Sequence, residues 1–324
     1  MKSKSYHIYD IENTFNRIID GKKNPGVQDF ITNLDHIRGS KDFRVHVQGI
    51  YKLFGTNNFI VTGSTSKYPG YFHVVRNKQG YVNSYTKKSF YGIKTKNRRY
   101  SHPGGIQVED NILVIGNEEL NWSKTNTKDN NSVIKFYDIS NSNRIYDLNL
   151  DIYRVQNNKK ASGVGIIRLR NEYIVAVRAK DYLDFYGLPL NLKLNPTYRR
   201  INRISLKRKV KEVFNKAQSI QLFKNQNEEL YIFAMTTDDV FMFRMPYKSS
   251  TFIEEMTYPV FVNKKTFFPY GDAKIRWASC MNFIPVKPSI NGGMEGYFEI
   301  ISTARNVSRP KGYRKNVLIF NTIR

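Results

Sequence analysis

Apolar residues along this chain gather in short, dense runs bounded by polar stretches. Five runs are nearly continuous: Phe59-Ile-Val-Thr-Gly63, Ile112-Leu-Val-Ile-Gly116, Tyr173-Ile-Val-Ala-Val177, Tyr231-Ile-Phe-Ala-Met235 and Tyr297-Phe-Glu-Ile-Ile301. This is the pattern of strands covered on both faces. Each run follows a segment in which a small residue precedes an apolar one. Those segments are His46-Val-Gln-Gly49-Ile50, His102-Pro-Gly-Gly105-Ile106, Ser162-Gly-Val-Gly165-Ile166, Lys216-Ala-Gln-Ser219-Ile220 and Trp277-Ala-Ser-Cys280-Met281. The copies are 54 to 61 residues apart, a period long enough for a radial repeat.

A third column ends in Phe: Val133-Ile-Lys-Phe136, Tyr182-Leu-Asp-Phe185, Val240-Phe-Met-Phe243 and Val317-Leu-Ile-Phe320, with Phe72-His-Val-Val75 a looser first copy. A more polar strand follows, as in Arg144–Leu148 and Tyr198–Ile204. Each unit therefore grades from small, through apolar and aromatic, to polar. The gradient resembles a β-propeller blade, with crowding at the axis and water at the rim. The expected fold is all-β, a five-bladed propeller of four-stranded antiparallel blades spanning 1–324 as a single domain. The blades run over 45–94, 101–155, 161–208, 216–263 and 276–324. The last unit ends after its third strand, so the N-terminal segment 1–44 should close the ring, with Tyr6–Ile11 as the missing strand. Within 13–44 the pattern predicts only a turn or short helix over 27–37. The chain lacks the signatures of WD and kelch repeats, so the resemblance names an architecture and no activity.

Composition changes this picture in two ways. Aromatic residues reach 14%, which favours strands and argues against disorder. Lys and Arg total 52 against 27 Asp and Glu, a net charge of +25, which calls for an acidic partner or reflects a Lys- and Asn-rich composition. The one cysteine, Cys280, excludes an intramolecular disulfide and a Cys zinc site, and in the small-residue column it reads as a packing residue. No apolar run approaches the roughly 20 residues of a membrane span. No apolar stretch follows the charged start, so the expected location is cytoplasmic, or exported with a signal already removed. No cofactor or metal is implied.

Propellers bind ligands at the axial mouth, where inner strands begin and second strands end; the resemblance therefore implies a list of residues. Inner-strand starts supply His46, His102, Ser162, Lys216, Arg276 and Trp277. The segments after the second strands supply Glu118, Glu119, Arg178, Lys180, Thr236–Asp239 and Arg305. Two of the five histidines share one repeat position. One reading makes His46 and His102 an acid–base pair, with Glu118 or Glu119 as the carboxylate. Arg178, Lys180, Lys216, Arg276 and Arg305 would then hold an anionic group, with Trp277 stacking or plugging the channel. The other reading makes each histidine a hydrogen-bond donor that pins a strand start. No inner strand begins with Asp or Glu, which speaks against the paired carboxylates of a glycoside hydrolase. No Asp-rich calcium loop, phosphate loop or nucleophile elbow is present, and Asp238-Asp239 reads as a turn.

A separate basic strip, Arg199, Arg200, Arg203, Lys207, Arg208 and Lys209, falls on an outer strand and the loop behind it. It fits either nucleic acid or a charged edge that resists pairing. The leading expectation is a monomeric, non-enzymatic binding propeller whose cationic mouth takes an acidic small molecule or acidic protein segment. The alternatives are a hydrolase acting on a phosphate ester or other anionic substrate at the mouth, and nucleic-acid or anionic-surface binding through the strip.

Overall fold

A strand that is apolar on both faces needs a sheet neighbour at each edge and a packed layer above and below. A computed structural model shows how this chain meets both needs. It describes residues 6–19, 27–31, 46–53, 58–64, 71–78, 81–88, 102–118, 131–141, 145–154, 163–179, 181–247, 253–267, 273–304 and 317–321.

The strands pair as four-stranded antiparallel meanders, giving an all-β, propeller-like fold. The first unit holds β3 (His46–Lys52), β4 (Asn58–Ser64), β5 (Tyr71–Lys78) and β6 (Tyr81–Lys88). The second holds β7 (His102–Glu109), β8 (Ile112–Glu118), β9 (Ser132–Asp138) and β10 (Tyr146–Arg154). In the third are β11 (Val164–Leu169), β12 (Glu172–Arg178), β13 (Tyr182–Pro189) and β14 (Arg199–Ser205). Next come β15 (Ser219–Asn225), β16 (Leu230–Met235), β17 (Asp239–Met245) and β18 (Val260–Thr266). Finally β19 (Ala273–Pro288), β20 (Met294–Ala304) and β21 (Val317–Asn321) are joined by β2 (Val27–Ile31), antiparallel to β21.

Burial follows the gradient read from the sequence. The second strands β8, β12 and β16 are buried almost throughout, whereas the outer strands β14 and β18 are largely exposed or half-buried. Apolar side chains fill the seams between units. Ile106, Leu113 and Tyr137 meet Ile60, Phe72 and Val74 between the first two. Val164 and Val175 meet Val114 and Phe136 at the next seam, and Phe214, Ile220 and Phe243 meet Ile174 and Phe185 at the one after. Among the described residues no helix is long and apolar enough to cross a membrane.

Three segments differ from the sequence reading. Residues 6–11 do not form an outer strand beside β21. Only β1 (His7–Ile8) is extended, and it runs parallel between β15 and β20, joining the last two units into one nine-stranded sheet. The chain then turns into α1 (Ile11–Asn16), capped by the Asp10 carboxylate, which accepts a hydrogen bond from the Asn13 N–H at 2.9 Å. Ile8, Ile11, Phe15 and Ile18 have the spacing of a helix face, and all four are buried with Phe233, Met281 and Phe298. The second difference is β2, which lies where a turn or helix was expected: Val27, Phe30 and Ile31 suit a strand once the edge of β21 offers a partner. The third is α2 (Arg208–Lys216), a helix where a loop was expected, driven by Val210 and Phe214 at i, i+4 on one buried face.

His7 marks where β1 enters its slot. Its imidazole lies 3.3 Å from the Glu228 carboxylate. Its pKa is nevertheless held below the ordinary 6.5, first by burial and then by the Lys224 ammonium, against the opposing pull of Glu228. The unfolded chain therefore binds this proton more readily than the folded one, so His7's contribution is intact above pH 6.5 and declines as the pH falls from there through the lower folded value. Thermal unfolding midpoints followed from pH 7.5 to 5 should fall more steeply in the native protein than in His7→Gln. Phe15→Ala should cost about 3–5 kcal/mol in urea unfolding, because the fully buried ring leaves a cavity among Phe233 and its neighbours.

Candidate functional site

The first strands of the units pack side by side in the order β3, β7, β11, β15, β19, and β19 lies against β3. Their approach is too close for ordinary side chains. A Cβ on Gly49 would lie 2.7 Å from the Gly104 carbonyl oxygen, and one on Gly165 would lie 2.9 Å from the Leu222 side chain. Amides fill the space that remains. The Gln107 Oε1 accepts from the Ile166 and Leu222 N–H groups at 3.1 and 3.0 Å, while its Nε2 donates to the Leu222 carbonyl at 2.9 Å. Gln221 makes one such contact a seam on, its Oε1 accepting from the Met281 N–H at 2.6 Å. These residues follow the small-apolar column directly: Tyr51, Gln107, Ile167, Gln221 and Asn282 occupy one repeat position. The sequence reading passed over that column, although its amides were visible.

The end where the first strands begin and the second strands finish is here termed the upper end. Three first strands carry irregularities there. Gln48 is an extra residue between Val47 and Gly49 in β3, β7 shifts between Pro103 and Ile106, and β19 shifts between Lys274 and Ser279. Such bulges re-aim side chains and recur beside functional sites. The bulge in β19 contains Arg276 and Trp277. No shift interrupts β11 or β15.

Within this end, His102 and Glu118 are directly opposite each other on β7 and β8. Facing positions in an antiparallel pair put Cβ atoms about 4.5–5.5 Å apart. Both side chains are half-buried. The Gln48 Nε2 reaches across from β3 to within 2.7 Å of the His102 Nδ1 and 2.8 Å of its Nε2. His46 holds the corresponding place on β3, opposite Ser64.

Arg178 ends β12 and is fully buried. Its Nη1 donates to the carbonyls of Phe214 and Asn215 at 3.0 and 3.4 Å, so the guanidinium caps the last turn of α2. Burial lowers its pKa, Glu118 opposes that fall, and Arg154 adds to it. The expected ligand-binding cation is thus also a structural anchor, and it lies within electrostatic reach of the His102–Glu118 pair. Lys216, the last residue of α2, is exposed at the same end. Asp238 and Asp239 form a turn as expected, the Thr236 N–H and Phe267 N–H donating to their carbonyls. Cys280 is buried, and burial pushes its thiol up to about 12, which leaves it unreactive at neutral pH. Glu119, Lys180 and Arg305 lie outside the described residues, as do the side chains of His46, Arg276 and Trp277.

Three residues of the outer basic strip are matched by carboxylates. Arg199 pairs with Glu172 and Glu254 at 3.2 and 2.9 Å, and Arg208 lies 3.6 Å from Glu212. Lys207 stands over the Tyr258 ring at 4.9 Å, and Arg200 and Lys209 are exposed. Arg203 joins Arg154 on a single carboxylate, that of Asp184, at 2.6 and 2.7 Å.

No protein-family model and no curated protein sequence matches the chain. Among solved structures it is similar to a luciferin-regenerating enzyme, with a TM-score of 0.41 and 11% identity over 99% of this chain and 91% of that one. It is also similar to a sucrose-6-phosphate hydrolase from Lactobacillus gasseri, with a TM-score of 0.45 and 11% identity over 86% of this chain and 60% of that one. Both of those proteins are enzymes, and the leading expectation of a non-enzymatic binding protein is withdrawn. At these scores the likeness carries nothing further, so the chemistry has to come from this chain's own residues.

Asp184 and Arg154 are 0% and 1% exposed, and the pair ties β10 to β13 across a seam. Asp184→Asn leaves two guanidiniums without their counter-charge and should cost about 3–5 kcal/mol in urea unfolding. A cost below 1 kcal/mol would show that the pair is dispensable to the seam.

Proposed function

We propose that the meanders are the five blades of one propeller, closed by Val27–Ile31, and that its axial mouth is the active site of a hydrolase acting on a phosphate ester or another anionic substrate. One observation carries this reading: His102 and Glu118 are cross-strand neighbours at the upper end, with the Gln48 amide on the imidazole. An imidazole beside a carboxylate is a base whose protonated form has a partner. In the proposed reaction His102 takes a proton from a water molecule as that water attacks the phosphorus or carbonyl centre. Glu118 stabilises the imidazolium that results, and the imidazolium returns its proton to the leaving oxygen. His46, at the matching position of the neighbouring blade, is the second acid–base candidate.

Cations at the same end hold the anionic group. Lys216 is exposed there. Arg276 belongs to the β19 bulge, and Arg305 follows β20 directly. Arg178 contributes from below, its charge already held by the end of α2. A guanidinium fork matches two oxygens of a phosphate or carboxylate, which favours small anionic substrates over neutral ones.

The test is turnover of a chromogenic panel: an aryl phosphate monoester, an aryl phosphate diester, and an anionic and a neutral carboxylic ester. Hydrolysis of at least one anionic member should fall by about 100-fold or more in His102→Ala and in Glu118→Gln, with unfolding midpoints near the native value. Failure of the native protein on the whole panel, or unfolding of both variants, would remove the reading.

A further inference from the structure

Resting on the proposed hydrolytic reading of the same end, we infer that the unengaged edge of the Arg178 guanidinium is a carboxylate subsite, so that the substrate carries a carboxylate apart from the bond that is hydrolysed. A guanidinium holds five N–H groups in one plane. In Arg178 only those of Nη1 are engaged among the described residues, with the Phe214 and Asn215 carbonyls at the end of α2. The side-on edge of the fork, formed by Nε and Nη2, lies on the other side of the group. Its Nε is buried and has no hydrogen-bond partner among the described residues.

Arg178 is 3% exposed, and an unmet donor on a buried cation is costly. An acceptor that reaches Nε and Nη2 together removes that cost. A carboxylate does so with two oxygens in the plane of the fork. The plane itself is fixed. Nη1 is tied to α2, the Arg178 N–H donates to the Gly163 carbonyl at 2.8 Å, and a Cβ on Gly163 would lie 3.3 Å from that of Arg178.

The surroundings call for one negative charge. Glu118 acts on Arg178 through charge alone, and Arg154 opposes it with a like charge. Arg154 shares the single carboxylate of Asp184 with Arg203. Three guanidiniums thus meet two carboxylates, and one positive charge is left over. A carboxylate cancels it. A phosphate monoester dianion would bring a second charge and oxygens outside the guanidinium plane. Arg178 and Glu118 end the second strands of neighbouring units, so a small substrate anchored at Arg178 has its second group to offer to His102.

The test follows the Arg178 Nε–H resonance of the full chain by NMR during titration with acetate, methyl phosphate and acetamide, the resonance being assigned by its loss in Arg178→Lys. Acetate should shift it downfield to saturation, methyl phosphate should bind more weakly, and acetamide should leave it in place. In Arg178→Lys the charge stays but the fork is gone, and acetate affinity, read on the Gly163 and Ala179 amides, should fall about tenfold or more. A native Nε–H that acetate does not shift to saturation overturns the inference, as does an equal response to acetamide, tighter binding of methyl phosphate or unchanged affinity in Arg178→Lys. If the variant does not fold, the resonance is assigned through its own side-chain carbons and the native titrations decide. Because binding is read without turnover, a protein that takes acetate at Arg178 but hydrolyses nothing sinks the hydrolytic reading and keeps the subsite, whereas turnover without the acetate shift sinks the subsite alone.

Discussion

The close approach of the first strands governs the rest of this fold. Backbones that come together near Gly49, Gly104 and Gly165 leave no room for a Cβ at Gly49 or Gly165, and polar groups buried there gain from partners within the protein. Gln107 answers that need by binding two neighbouring strands at once through both ends of its amide. Gln221 reaches β19 through its Oε1 alone. An amide suits this place better than a charge: it both donates and accepts, and its burial carries no ionic desolvation cost. Sheets locked in this way along the strand bodies have only their ends free to vary.

Variation at the ends is uneven, and the proposed site lies on the irregular side. The first strands of the third and fourth units keep regular register, and α2 covers that side, held by Arg178 and by Phe214 in the core. The first strands of the fifth, first and second units are bulged at the upper end. A bulge forfeits a ladder hydrogen bond, so it persists where the re-aimed side chain does something a regular strand cannot. At Gln48 that is contact with His102 on the neighbouring strand.

The repeat columns were legible because crowding, burial and solvent exposure each select a residue class, and they select it afresh in every unit. The same logic explains what was missed. Ile8, Ile11, Phe15 and Ile18 have a helical period that two strand-like residues at the start obscured, and β1 lies parallel between two other strands, a pairing no local pattern announces. The strand at Val27–Ile31 depends on the vacant edge of β21, some 290 residues away in the chain. For α2, four Lys and Arg masked the pairing of Val210 with Phe214. His102 and Glu118 could be listed from their repeat positions, but their direct opposition depends on register. Gln48 depends on a bulge, which shifts register by one residue and leaves no signature in composition.

The +25 charge takes a different meaning from where its members sit. On the outer strip Arg199, Arg203 and Arg208 are matched by carboxylates of this chain. Arg203 ties β14 to β13 and Arg199 reaches from β14 to β12 and to Glu254 of the next unit, while Arg208 pairs within α2. Arg178 is also committed, but to carbonyl oxygens, which accept from its Nη1 without neutralising its charge. Its positive charge therefore remains, buried where screening is weak, close to the half-buried Glu118. Glu118 thus has this guanidinium within electrostatic reach and His102 opposite it on the ladder. The helix cap and the chemistry of the upper end thus share one guanidinium. For that reason a charge count over the whole chain says less about function than the position of this one residue.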